Sequence, residues 1–139
     1  DLSSQIELKL GDSENLEFRD GQFDAVMCAY GTRNFQDLKK GLEEMARVTR
    51  AGGKVAILEF SKPKIFPIKQ LYFFYFKKLL PLYGKLVSKH GSAYDYLPQS
   101  VMAFPDGDDF CSILESSGFK NAKAQPLTLG ITTLYTAYR

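Results

Sequence analysis

Hydrophobic positions change period along the chain, and each change marks an element. Ile6, Leu8 and Leu10 alternate with polar residues, the two-residue repeat of a half-buried strand over 4–10 that ends at Gly11-Asp12. Leu16 and Phe18 then point inward from a loop or short helix over 13–21, closed by an Asp20-Gly21 turn. From Phe23 an apolar run of strand length opens on Asp24 and breaks at Ala29 into Tyr30, Gly31, Thr32, Arg33 and Asn34. After Asp37 the repeat lengthens. Leu38, Leu42, Met45 and Val48 recur at three- and four-residue steps, the stripe of an amphipathic helix with Lys39, Lys40, Glu43, Glu44, Arg47 and Arg50 on its polar face. Asp37 caps its start and Gly52-Gly53 stop it. Positions 54–60 are nearly continuous in apolar residues, as a central parallel strand requires. Strand, helix and strand with short joints make a right-handed crossover unit.

The second half reads less regularly. Beyond a loop with Pro63 and Pro67, positions 68–80 hold six consecutive Leu, Tyr or Phe residues at 71–76 and predict a helix that covers something apolar. Positions 81–91 read as irregular or a short helix, and 92–102 as a helix interrupted by Pro98. A helix over 106–117 has Asp106, Asp108 and Asp109 at its positive end, Phe110, Ile113 and Leu114 inward, and Gly118 as its stop. Two closing strands, 119–128 and 131–138, flank Leu129-Gly130, the second rich in β-branched and aromatic residues.

Composition narrows the class. A chain of 139 residues holds one domain and one core. Its net charge of +2 gives no electrostatic case for a nucleic-acid partner. Cys28 and Cys111 match no metal or redox spacing and read as buried thiols in a reducing compartment. No signal peptide is visible, and no apolar run approaches the ~20 residues that span a bilayer. The first residue is Asp1, so the chain is read as a processed product or a piece of something longer.

In an open α/β sheet, ligands bind just outside the carboxyl ends of parallel strands, which makes 29–34 a site candidate. Arg33 offers a fixed cation and Asn34 both a donor and an acceptor; the competing reading is a strand end leading into a helix cap. Gly11-Asp12-Ser13 can address an exocyclic amine such as that of adenine, or can be a turn capped by its own Asp. Glu59 faces the same crevice or pairs with a loop amide. His90 is the only histidine, which excludes a multi-histidine metal site and argues against a histidine-dependent triad. The acids at 106, 108 and 109 lack the bidentate partner of a calcium loop, so no metal is expected. The 71–76 block reads as core before it reads as a lipid contact.

Taken in order, these residues resemble the ubiquinone/menaquinone biosynthesis C-methyltransferase family of Rossmann-like, S-adenosylmethionine-dependent enzymes. The resemblance is carried by Gly11-Asp12-Ser13-Glu14-Asn15-Leu16, Phe23-Asp24-Ala25-Val26, Tyr30-Gly31-Thr32-Arg33-Asn34, Leu58-Glu59-Phe60-Ser61-Lys62-Pro63, and the stretch from Ser92 to Val101 reading SAYDYLPQSV. It implies an α/β class I methyltransferase sheet, incomplete from the third strand onward, with helices on both faces and a closing antiparallel strand. The whole of 1–139 would be one partial domain, with about 64–104 as a helical lid or acceptor-binding insertion. The implied chemistry is C-methylation of a demethylated prenylquinol, demethylmenaquinol or a ubiquinol precursor. Other small-molecule methyl transfer, and a non-catalytic binding or assembly half-domain, are the alternatives.

The resemblance assigns Asp12, Ser13 and Ala29 to the cofactor and Arg33 to catalysis. Because an arginine keeps its proton, Arg33 would polarise a phenolate and orient a water rather than act as a direct base. Tyr30, Asn34, Tyr94 and Tyr96 are the candidate acceptor contacts. Lys69, Lys77 and Lys78 would rest at a membrane surface, which implies peripheral contact with the inner, cytoplasmic face; a homo-oligomer is the other partner class left open. The family's first strand, its glycine-rich loop and the acid ending its second strand have no counterpart here, so the chain is expected to be the C-terminal half to two-thirds of such an enzyme.

Overall fold

The computed structural model describes residues 3–79 and 92–139, the side chains of 3, 77 and 92–95 excepted. The expectations for Leu80, for 81–91 with His90, and for the side chain of Tyr94 lie outside the described residues. Four strands form one sheet: β1 (Phe23–Ala29), β2 (Thr49–Phe60), β3 (Lys120–Leu127) and β4 (Thr132–Tyr138), in the order β1-β2-β4-β3. β1 and β2 are parallel and are joined through α1 (Leu38–Val48), while β4 runs antiparallel to both β2 and β3. α2 (Ile68–Phe74) continues into a π-helical turn over Tyr75–Leu79; α3 (Ser92–Ala103) and α4 (Asp108–Ser116) follow.

The main core lies on one face of the sheet. Leu42, Met45 and Ala46 of α1 and Phe110 and Leu114 of α4 pack onto Val55, Ile57, Tyr135 and Ala137. Val55 and Ile57 are two residues apart and therefore share a face, which their register partners Ala137 and Tyr135 continue. Asp37 caps α1 as expected, accepting from the Lys40 amide at 3.0 Å. Gly41 sits mid-helix because a Cβ there would come within 2.3 Å of the Phe35 ring. A second cluster gathers Tyr72, Phe76 and Val101 with Phe60 and Ile131, at the carboxyl end of β2. Burial pushes the Tyr72 hydroxyl up to about 12, with Asp106 adding to the shift, and this oxygen finds no hydrogen-bond partner among the described residues. Among the described residues no helix is long and apolar enough to cross a membrane.

Four expectations are corrected. Residues 6–11 form no strand, and Leu8 and Leu10 are fully open to solvent. Alternation specifies a face but not a partner, and no strand of this sheet offers 6–10 its ladder of hydrogen bonds. α1 stops at Val48, before the glycines. Thr49 is already extended there, its hydroxyl donating to Met45 O at 2.6 Å, while the Arg139 guanidinium donates to Arg47 O at 2.8 Å and to Thr49 O. Gly52 and Gly53 instead lie inside the first half of β2, where the register skips from Phe23↔Thr49 to Ala25↔Lys54 and a Cβ on Gly53 would come within 2.9 Å of Asp24 O. Pro98 lies inside a continuous α3. Asp106 precedes α4, separated from it by Gly107 at φ 65°, and binds Lys62 instead, with Oδ2 accepting from the Lys62 amide at 3.0 Å and Oδ1 3.2 Å from its ammonium.

Candidate functional site

The site grows from the point where β1 and β2 end together. Ala29, the last residue of β1, is paired with Leu58 and exposed. Tyr30 then turns the chain out of the sheet at φ 56°, a left-handed conformation that costs a non-glycine residue about 1 kcal/mol or more. Its amide donates to Leu58 O at 2.8 Å and its ring lies 4.7 Å from that of Phe60. Gly31 follows because a Cβ there would meet Cys28 Sγ at 2.8 Å. Burial pushes the Cys28 thiol up, which keeps it a neutral packing group.

A short turn, Thr32–Asn34, places Arg33 against Glu59. Glu59 is 0% exposed. Its Oε1 accepts from Arg33 Nη1 at 2.8 Å and from the Phe60 amide at 3.0 Å. Oε2 accepts from the Thr32 hydroxyl at 3.2 Å and the Arg33 amide at 3.3 Å. A buried carboxylate is tolerated only with such pairing. Arg33 Nη1 also donates to Tyr30 O at 2.5 Å, its guanidinium carbon stands 5.3 Å from the Phe60 ring centroid, and its Nε is buried without a partner. Of the two sequence readings of Glu59, the structure shows the pairing with a loop amide, that of Arg33; the carboxylate is fully buried and lines none of the cavities described below. Thr32, fully buried on the same carboxylate, was not singled out by the sequence; only its place between Gly31 and Arg33 signals it.

Asn34 Oδ1 accepts from the Tyr96 hydroxyl at 3.0 Å, which ties α3 to this turn. A cavity of about 380 Å³ opens beside that contact, with Thr32, Arg33, Phe35, Tyr96 and Gln99 among its walls. Asp12 forms the capped turn, its Oδ1 accepting from the Glu14 amide at 2.9 Å and its carbonyl from the Asn15 amide at 3.1 Å. The same turn is also a wall: Asp12, Ser13 and Glu14 share a polar cavity of about 280 Å³ with Asn34 and Gln36. The structure thus brings Arg33 and Tyr96 to one cavity and Asp12, Ser13 and Asn34 to its neighbour, the two sharing Phe35 as a wall; Ala29 and Tyr30 line neither. A third, more apolar cavity of about 350 Å³ by Ser61, Lys62 and Leu129 holds none of the predicted site residues. Among the described residues no group of His, Cys, Asp and Glu has the makings of a metal site.

The loop bearing Asp12 is held by charge. Glu44 Oε2 accepts from the Leu16 amide at 2.8 Å, and Arg47 reaches Glu44, Asp20 and the carbonyls of Leu16 and Phe18 at 2.7–2.8 Å. Glu14 Oε1 accepts from the amides of Gln36 and Asp37 at 2.6 and 3.0 Å.

Comparison with known proteins fits this geometry. The pattern of the ubiE/COQ5 methyltransferase family matches residues 2–139. The chain is 47% identical over 136 residues to the demethylmenaquinone methyltransferase of Bacteroides fragilis, covering 98% of this chain and 56% of that protein. It is also 47% identical over 134 residues to the ubiquinone/menaquinone biosynthesis C-methyltransferase UbiE of Geotalea daltonii, covering 96% and 57%. The chain therefore spans a little over half the length of these relatives. Among solved structures, a SAM-dependent methyltransferase of Thermotoga maritima superposes with a TM-score of 0.62 at 14% identity, covering 92% of this chain and 61% of that one. A phosphoethanolamine N-methyltransferase of Haemonchus contortus, solved with S-adenosylhomocysteine, gives 0.60 at 13% identity, covering 92% and 36%. These two likenesses show the fold, a partial Rossmann-like methyltransferase sheet, and on sequence the chain belongs to the ubiE/COQ5 methyltransferase family.

Proposed function

We propose that the protein carrying this chain transfers a methyl group from S-adenosylmethionine to a ring carbon of a demethylated prenylquinol, demethylmenaquinol being the acceptor. The observation that carries the reading is Arg33 on the wall of the cavity beside Tyr96, held there by the buried Glu59. Asp12 and Ser13, on the polar cavity that Asn34 shares, suit the adenine end of the cofactor, with Ala29 on its methionine side. When bound, the cofactor supplies an electrophilic sulfonium methyl. Arg33, held by Glu59, offers a fixed positive charge to an acceptor oxygen as it becomes phenolate, which makes the ring carbon a better nucleophile. Tyr30, Asn34 and Tyr96, with Tyr94, would set the ring in line, and such positioning alone can supply much of the rate. Residues 64–104 form the lid over that ring in this reading. An acceptor with a polyprenyl tail resides in a bilayer, so the reading includes peripheral membrane contact at the cytoplasmic face.

A second reading is a subunit that completes its sheet on another chain and has no turnover of its own; the open edge of β1 favours it. The experiment measures cofactor binding and methyl transfer for this chain alone and joined behind the remaining part of the Bacteroides fragilis relative. The acceptors are demethylmenaquinol, a demethylated ubiquinol precursor and a tail-less hydroquinone. Transfer to the prenylated quinols by the joined form, slowed about 100-fold but still measurable with Arg33→Met, is the expected result. Cofactor binding without transfer to any quinol would sink the acceptor assignment. No cofactor binding in either form would sink the methyltransferase reading.

A further inference from the structure

Charge is distributed unevenly along this chain. From Phe60 to Tyr94 there are seven lysines and no aspartate or glutamate, so the remainder of a chain of net charge +2 carries a net −5. The same segment holds the helix over 68–79, which is apolar on more than one stripe. Tyr72 and Phe76, a four-residue step apart, turn toward the cluster around Val101 and are only 5% exposed. Leu71, Phe74, Tyr75 and Leu79 form a second stripe with no core beneath it, Leu71 at 61% and Phe74 at 56% exposure. The preceding loop extends the patch with Ile65 and Phe66, the latter 78% exposed. Lys64, Lys69 and Lys78 are exposed along the same segment. A helix that is apolar beyond the stripe its own core needs has a second apolar environment to meet. Lysines without a single acid among them fix the sign of that environment.

We infer that the 64–79 segment is a docking surface for an anionic phospholipid bilayer, with Phe66, Leu71 and Phe74 entering the headgroup–acyl boundary and Lys64, Lys69 and Lys78 meeting the headgroups. This is the arrangement of an interfacial helix, in which buried apolar area gives depth and the basic residues give selectivity for anionic lipid. It deepens the reading above, because a prenylated acceptor would be met at that surface. Vesicle binding nonetheless needs no turnover, so the two stand or fall separately.

The test is flotation of the 139-residue chain with vesicles of phosphatidylcholine alone and of phosphatidylcholine with about a third phosphatidylglycerol, at low and high salt. Binding to the anionic vesicles is expected to exceed binding to the neutral ones by about tenfold or more and to collapse in high salt. Leu71→Gln with Phe74→Gln should lose both modes without lowering the melting temperature, since both side chains are exposed. Lys64→Gln, Lys69→Gln and Lys78→Gln together should lose only the anionic preference. The same three-charge change at Lys39, Lys40 and Lys120, outside the patch, should leave binding unchanged. The inference is overturned if neither vesicle is bound, if the outside triple loses as much as the patch triple, or if neutral vesicles are bound equally. A dimer in sedimentation equilibrium that Phe74→Gln dissociates, and that vesicles do not, would assign the patch to a second copy instead.

Discussion

Glu59 and Arg33 act as one unit at the residue scale, because each makes the other tolerable in a buried place. The carboxylate accepts four hydrogen bonds, three of them from residues 32 and 33, so it fixes the turn as well as the guanidinium. That division of labour predicts a specific pattern of kinetics. In the form that shows methyl transfer, Glu59→Gln should lower kcat by about 10- to 100-fold, the loss expected when an electrostatic group is left misplaced. Cofactor affinity should hold within about twofold, since the cavity of Asp12 and Ser13 does not include Glu59. With Arg33 already Met, the same change should cost nothing further; an additive loss in that double-mutant cycle would show that Glu59 serves the fold and not Arg33. None of this pairing was legible as a pair, because 26 residues separate the partners and an acid closing an apolar strand specifies no cation. What the sequence did make legible was position. An apolar run breaking into small and polar residues marked the strand end, and β1 stops at Ala29 as that break predicts.

Local chemistry was readable for elements whose partners lie within one turn, and unreadable where the partner is elsewhere. The Asp37 cap and the Gly118 stop, with the Phe119 amide donating to Leu114 O at 3.3 Å, follow from neighbours. The end of α1 does not, because the carbonyls there are covered by Arg139, 90 residues on. The loop over 12–20 belongs to the same class: its docking on α1 depends on Glu44 and Arg47, which the sequence shows only as part of a solvated helix face. Arg47, by its hydrogen bonds to Glu44, holds that carboxyl below the usual carboxylate range, and the Leu16 amide adds to the effect. The folded-state value being lower than the unfolded one, this contribution to docking is complete above the ordinary glutamate range and is lost as pH falls through the folded value. Protection of the Leu16 amide, relative to its unstructured exchange rate at the same pH, should accordingly be high at neutral pH and fall in acid before that of the core does. Arg47→Ala should speed the Leu16 amide roughly 10- to 100-fold at pH 7 while the β2 amides stay protected. Equal acceleration of Leu16 and of Ile57 would mean that the loop opens only with the whole domain.

At the scale of the whole molecule, the sheet ends in two edge strands, β3 on one flank and β1 on the other. Among the described residues β3 has only β4 beside it and β1 only β2, and Met27 in the middle of β1 is 83% exposed. Ile6, Leu8 and Leu10, which carry the alternation of a strand, lie unpaired on the same N-terminal side of the chain. An edge of this length with an apolar side chain at its centre is a template for another strand. The relatives carry nearly half their length beyond the part matched here, and the polar cavity of Asp12 and Ser13 is lined by residues that precede β1 in sequence. We expect the two features to be closed by one event. When the chain is joined behind the remaining part of the Bacteroides fragilis relative, the outward amides of β1 should gain protection from hydrogen exchange, and 6–10 should gain it with them as the alternation finds a ladder. Cofactor affinity should rise in the same preparation, by at least about tenfold over the chain alone, because a ligand held on one wall forfeits the contacts of the other. Protection of β1 without any gain in cofactor binding would separate the two, and would make the open edge an assembly surface instead of the missing side of the site. A gain in binding with 6–10 still fast-exchanging would leave the alternation at Ile6, Leu8 and Leu10 without a structural role.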